Sequence, residues 1–187
     1  MFPRGERVLG WRLLPLTLGH CLLLERLGSP FMPEGARRSP GPGDVAMVLW
    51  ACSRPWLRAF RSVSGWRARW ARAWIAGKVR RRLPEAIAAL IGFIERQTSG
   101  PRVISVHSSG QLEAPAFAAL LATLMAELNM PDSAALDRPV AWCRWMAVTQ
   151  AERSGLVRLR GQPTEDLIAA AREVAQAECR QGASHGR

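Results

Sequence analysis

Side chains able to carry chemistry are few and scattered in this 187-residue chain. Its three histidines are His20, His107 and His185. His20 follows Gly19 at the start of an apolar stretch and reads as a packing or capping residue. His107 stands in Ser-Val-His-Ser-Ser, beside Ser108 and Ser109. Neighbours that close in sequence do not make a nucleophile–base geometry, and no carboxylate can be assigned to orient the ring. His185 lies in a polar terminal stretch. Glu165 and Asp166 are adjacent acids in the first turn of an expected helix, where they complement its dipole. The four cysteines, Cys21, Cys52, Cys143 and Cys179, contain no Cys-x-x-Cys pair and so no zinc spacing. They read as buried free thiols in a reducing compartment. Phosphate-loop, dinucleotide, zinc-protease and nucleophile-elbow motifs are all absent. The sequence points to no catalytic residue, cofactor or metal, and hence to a protein that is not an enzyme.

The unusual stretch is Trp-Arg-Ala-Arg-Trp-Ala-Arg-Ala-Trp (66–74), followed by Lys-Val-Arg-Arg-Arg-Leu (78–83). From Arg54 to Arg82 there are ten cations and no acid. Residues 1–82 carry 16 Arg/Lys against 4 Asp/Glu, and residues 83–187 carry 10 against 11. The net charge of +11 is therefore a property of the N-terminal half, whose potential attracts anions.

Projected at about 100° per residue, this stretch separates into two faces. Phe60, Val63, Trp70 and Trp74 fall within about 40° of Trp56, and Trp66 about 80° away. Arg58, Arg61, Arg69 and Arg72 fall on the opposite side, between about 140° and 220°. Arg67 alone sits among the aromatics. A nucleic-acid grip would put stacking tryptophans beside the arginines that hold phosphates, so the separation argues against one. It suits a helix over 56–75 that packs its tryptophans on protein and leaves its arginines in water. Whether that protein is its own core or a partner's helix stays open. Trp66, Trp70 and Trp74 are the candidate partner-binding residues. In the alternative reading, a basic nucleic-acid-binding module, the acting residues are Arg58, Arg61, Arg69, Arg72, Arg80, Arg81 and Arg82.

Elements that would position these residues are helical. Thr17 caps a helix over 18–27 that stops at Gly28-Ser29-Pro30. Residues 30–43 hold four prolines and three glycines and read as a loop. Asp44 caps an all-round apolar helix over 45–53. Pro55 opens the arginine–tryptophan helix, weakened in its middle by Ser64 and Gly65 and ended by Gly77. Further helices are expected over 84–97, 115–129, 139–152 and 165–180. Residues 98–114 form a second long connection, in which 102–106 has strand character but no second strand to pair with. The expectation is an all-α bundle of about six or seven helices with two long loops. It forms a single domain over 1–180, with a possible subdivision near 98–114 and a flexible tail at 181–187. The apolar run 12–24 is short of a membrane span and lacks a cleavage site, so a cytoplasmic protein without membrane contact is expected.

Two stretches carry a resemblance. Pro15, Thr17, Gly19, His20, Leu23 and Leu24, then Gly28, Pro30 and Phe31, form one signature. The acid-capped apolar helix over 43–56, ending in Cys52-Ser53-Arg54-Pro55, forms the next block. Together they resemble small helical proteins of bacteriophage and prophage tail-gene clusters, of the tail assembly chaperone kind. The resemblance covers less than a fifth of the chain and says nothing of the arginine–tryptophan helix. It implies a non-enzymatic assembly factor without cofactor. Its partner would be a tail structural protein of the tape-measure or tube type, and a homo-oligomer is compatible.

Overall fold

The computed structural model describes residues 5–33, 38–99 and 116–154, and the backbone of 103–105 and 157–159. The chain opens with an antiparallel hairpin, β1 (Glu6–Val8) and β2 (Trp11–Leu13). Its two-residue turn, Leu9-Gly10, takes positive φ at both positions (53° and 81°), the geometry that matches strand twist. Then come α1 (Leu18–Arg26), α2 (Pro42–Cys52), α3 (Trp56–Ser62) and α4 (Trp66–Val79). A 3-10 turn, Arg80–Arg82, joins α4 to α5 (Leu83–Thr98). After β3 (Val103–Ser105) follow α6 (Ala116–Leu128), α7 (Asp132–Leu136), α8 (Val140–Arg153) and β4 (Val157–Leu159). The fold is a compact, mostly helical bundle, as the sequence predicts.

The core is one contiguous cluster centred on α2, whose Val45, Ala46, Val48, Leu49, Trp50, Ala51 and Cys52 are buried. Such an element is apolar on every side because it is surrounded: α1, α3, α4 and α5 all pack against it. Phe93 and Leu90 of α5 and Leu124 of α6 complete the interior. The segment leading into α1 is threaded between elements distant in sequence. The Leu16 N–H donates to Gln97 Oε1 (3.1 Å), Leu18 N–H to the Arg138 carbonyl (3.0 Å), and Val140 N–H to the Leu16 carbonyl (2.9 Å).

Helix ends explain most boundaries and correct some expectations. Thr17 caps α1, and Gly28 (φ 64°) ends it, with Ser29 N–H donating to the Leu24 carbonyl and Gly28 N–H to Glu25. Asp44 is not the cap of α2. The helix begins earlier, at Pro42, and Asp44 in its first turn accepts from Gly41 N–H (2.8 Å) and pairs with Arg38. Although partial burial works against it, that pairing holds the Asp44 carboxyl below its ordinary value. The single helix expected over 56–75 is two, broken at Ser64-Gly65, where glycine and serine disfavour continuation. Gly77 does not end α4, which runs to Val79. Residues 103–105 do pair, antiparallel, with 157–159, so this segment is a strand and not the unpaired extended loop the sequence suggests. The expected helix over 165–180, the tail 181–187, His107, Ser108, Ser109, Glu165, Asp166, Cys179 and His185 lie outside the described residues. No described helix is long and apolar enough to cross a membrane.

Candidate functional site

The buried side of α4 fixes its place in the bundle. Ala68, Ile75 and Val79 are buried, and Ala71, Arg72 and Ala76 half-buried. These recur at helical spacing and form one stripe, which lies on α2 in the most extensive helix–helix contact among the described residues. Alanine lets two helix backbones approach, so the stripe packs well despite its small side chains. Trp66, Trp70 and Trp74 lie on the far side of the helix and are 68%, 73% and 55% exposed. Of the two alternatives the sequence leaves open, these three tryptophans therefore do not pack into the chain's own core.

The arginines do not form the single solvated face expected of a continuous helix. Arg58 and Arg61 are exposed on α3, Arg69 on α4, and Arg80, Arg81 and Arg82 on the 3-10 turn. Arg72 turns inward. Its guanidinium lies 5.4 Å from the centre of the Trp50 ring, and its Nη1 donates to Met47 Sδ at 3.3 Å. Partial burial, and then the neighbouring Arg69, lower its pKa.

Two cations that sequence reasoning left out of the site stand on the tryptophan face. Lys78 Nζ sits 3.8 Å from the Trp74 ring centre, and the Arg67 guanidinium 5.4 Å from that of Trp66. Both distances fall within cation–π range. Trp74 also meets Trp11 of β2 edge-on, with ring centres 5.7 Å apart and planes at 82°. Beyond this pair opens a groove of about 450 Å³, lined by Leu9, Gly10, Trp11, Lys78, Val79, Arg82 and Ala86. The helical wheel already put Arg67 in the stripe. Nothing in the sequence joins Trp11 to Trp74, because that contact depends on the hairpin folding back across the α4–α5 corner.

His20, the other residue of chemical interest, is structural. Thr17 N–H (3.3 Å) and Thr17 Oγ1 (2.9 Å) converge on His20 Nδ1, and His20 N–H points back to Thr17 Oγ1 (3.4 Å). A backbone N–H can only donate, so Nδ1 is the acceptor. Nε2 then carries the proton and donates it to the Arg54 carbonyl at 2.9 Å. Histidine thus takes the part that glutamate usually plays in a capping box. Burial lowers its pKa. Gly19, beside it, lies against the Trp56 indole, which leaves no room for a Cβ. The Trp56 N–H donates to Asp137 Oδ1 (2.6 Å). Burial also raises the described thiols, Cys52 to about 12, Cys143 to about 11 and Cys21 well above its ordinary value, which disfavours the nucleophilic thiolate. Among the described residues no group of three or more His, Cys, Asp or Glu is placed to hold a metal.

Compared with known proteins, the chain matches no family model, no curated protein and no solved structure.

Proposed function

We propose that this chain is a non-enzymatic assembly factor of the phage tail chaperone kind. It holds a helical segment of a tape-measure or tube component on the tryptophan face of α4. The observation that carries the binding surface is the exposure of Trp66, Trp70 and Trp74 on a helix whose opposite stripe is already buried. Tryptophan is a favoured anchor at protein interfaces, and contiguous exposed apolar side chains mark docking sites. The tail assignment rests on the signature around Pro15–Phe31 and 43–56 alone. Co-expression with tape-measure and tube components tests the docking surface, and the genes that neighbour this one test the tail assignment. The wild-type chain should co-purify with a tail component. A triple Trp66→Ala, Trp70→Ala, Trp74→Ala variant with unchanged circular dichroism should not. Retention of that component by the triple variant would remove the docking surface, and the absence of tail genes beside it would remove the tail assignment.

A second reading, nucleic-acid binding, is favoured by Arg67 and Lys78 sharing the tryptophan face. Aromatic platforms flanked by cations are how single strands are held without sequence preference. This reading predicts retention on single-stranded DNA that falls steeply across a salt series. No retention at low salt rejects it.

A further inference from the structure

We infer that the segment docked on α4 is an acidic amphipathic helix, and that one of its carboxylates seats in the groove between Lys78 and Arg82. This rests on the tryptophan face being a protein-docking surface. It adds the charge of the partner and the place where that charge is read.

The argument is one of unmatched charge. Of the ten cations from Arg54 to Arg82, Arg54 and Arg72 are turned toward Trp50. Arg67 and Lys78 lie over tryptophans of the exposed face instead. Among the described residues two ion pairs form, Arg38–Asp44 and Arg96–Glu6, and neither involves a cation of this run. The groove lining contains two cations and no acid. Its remaining walls, Leu9, Trp11, Val79 and Ala86, suit the aliphatic stem of a side chain. The groove continues the tryptophan row through the Trp74–Trp11 contact. A helix with its apolar face on Trp66, Trp70 and Trp74 would thus carry its flanking groups past Arg67 at one end and into the groove at the other. A basic flank meets like charge along this whole path and is repelled. An acidic one is attracted at both ends.

Two synthetic helical peptides of about 20 residues test this, with identical leucine–alanine faces and either glutamate or lysine flanks. Binding to the full chain is followed by fluorescence anisotropy. The glutamate peptide should bind at least about tenfold tighter than the lysine peptide, and less tightly as salt rises. A Lys78→Glu, Arg82→Glu variant, altered only at exposed side chains, should reverse the preference. Loss of both peptides by the triple tryptophan variant, with equal affinity for both in wild type, overturns the charge assignment and leaves the docking surface standing. Undiminished glutamate-peptide binding by the triple variant overturns both, as does failure of wild type to bind either. Displacement of the glutamate peptide by a tighter-binding oligothymidylate or phosphatidylserine vesicle would assign the cations to phosphate and overturn the inference.

Discussion

Trp56 and Trp70 belong to the same arginine-rich stretch, yet their indoles meet different surroundings. The Trp56 ring rests on the Gly19 backbone, and its N–H is spent on Asp137. The Trp70 ring is 73% exposed and has no ring partner among the described residues. Around Trp56, three residues of the signature have a structural reason: Thr17 and His20 cap each other, His20 ties α1 to Arg54, and Gly19 admits the indole. Around Trp70 the helix has already satisfied its packing through alanines, so the tryptophans are left over. A residue pattern can therefore be unusual because the fold consumes it or because the fold does not. Burial tells the two apart.

The same substitution in the core and on the exposed face gives the largest contrast. Trp50→Ala, in the core beneath Arg54 and Arg72, should cost about 3–5 kcal/mol in urea unfolding. Trp70→Ala should change stability by no more than about 0.5 kcal/mol. A loss at Trp70 comparable to that at Trp50 would mean that the tryptophan face is packed after all. Next in size is Gly19→Ala. Its methyl would enter the Trp56 indole, and forcing the two apart should cost about 1–3 kcal/mol. Relief of that loss in a Gly19→Ala, Trp56→Ala double variant would locate the strain at this contact.

How much was legible follows the same division. Thr17, Gly28, Pro84 and Pro139 mark helix ends by backbone chemistry, and the structure uses all four near those places. The buried character of α2 is plain because every side of it is apolar. The inward face of α4 was not legible. Tryptophan offers far more apolar area than alanine and so dominates a helical wheel, whereas close approach of α4 to α2 favours the small Ala68, Ala71 and Ala76. The wheel also assumed one unbroken helix, and the turn at Ser64-Gly65 resets its phase. Strands of three residues, such as 157–159, are too short to show a period of two, so the partner of 103–105 went unseen.

Acid should act on the Trp56 side of the comparison. Burial holds the pKa of His20 below its ordinary 6.5, so the unfolded chain takes up this proton first as pH falls. The contribution of neutral His20 is complete above pH 6.5 and is lost as pH drops from there toward the folded-state value. In structural terms, a proton on Nδ1 would face the Thr17 N–H that now donates to it. The thermal midpoint should therefore fall on acidification through this window, and His20→Ala should be less stable but flatter with pH. An unchanged slope in that variant would move the effect to the carboxylates.

The smallest effect separates two tryptophans of the exposed face itself. Trp74 has an edge contact with Trp11 and a lysine over its ring, whereas Trp70 has neither. Such contacts are worth about 0.5–1.5 kcal/mol for an aromatic pair and about 0.5–1 kcal/mol for an exposed cation–π pair. Trp74→Ala should thus cost about 1 kcal/mol or more, measurably more than Trp70→Ala, and in a Trp11→Ala background its cost should fall to that of the lysine contact alone, about 0.5–1 kcal/mol. If the two losses are equal and Trp11→Ala has no effect on either, the hairpin does not brace the end of the tryptophan row. The groove beside Lys78 and Arg82 would then be shaped by α4 and α5 alone.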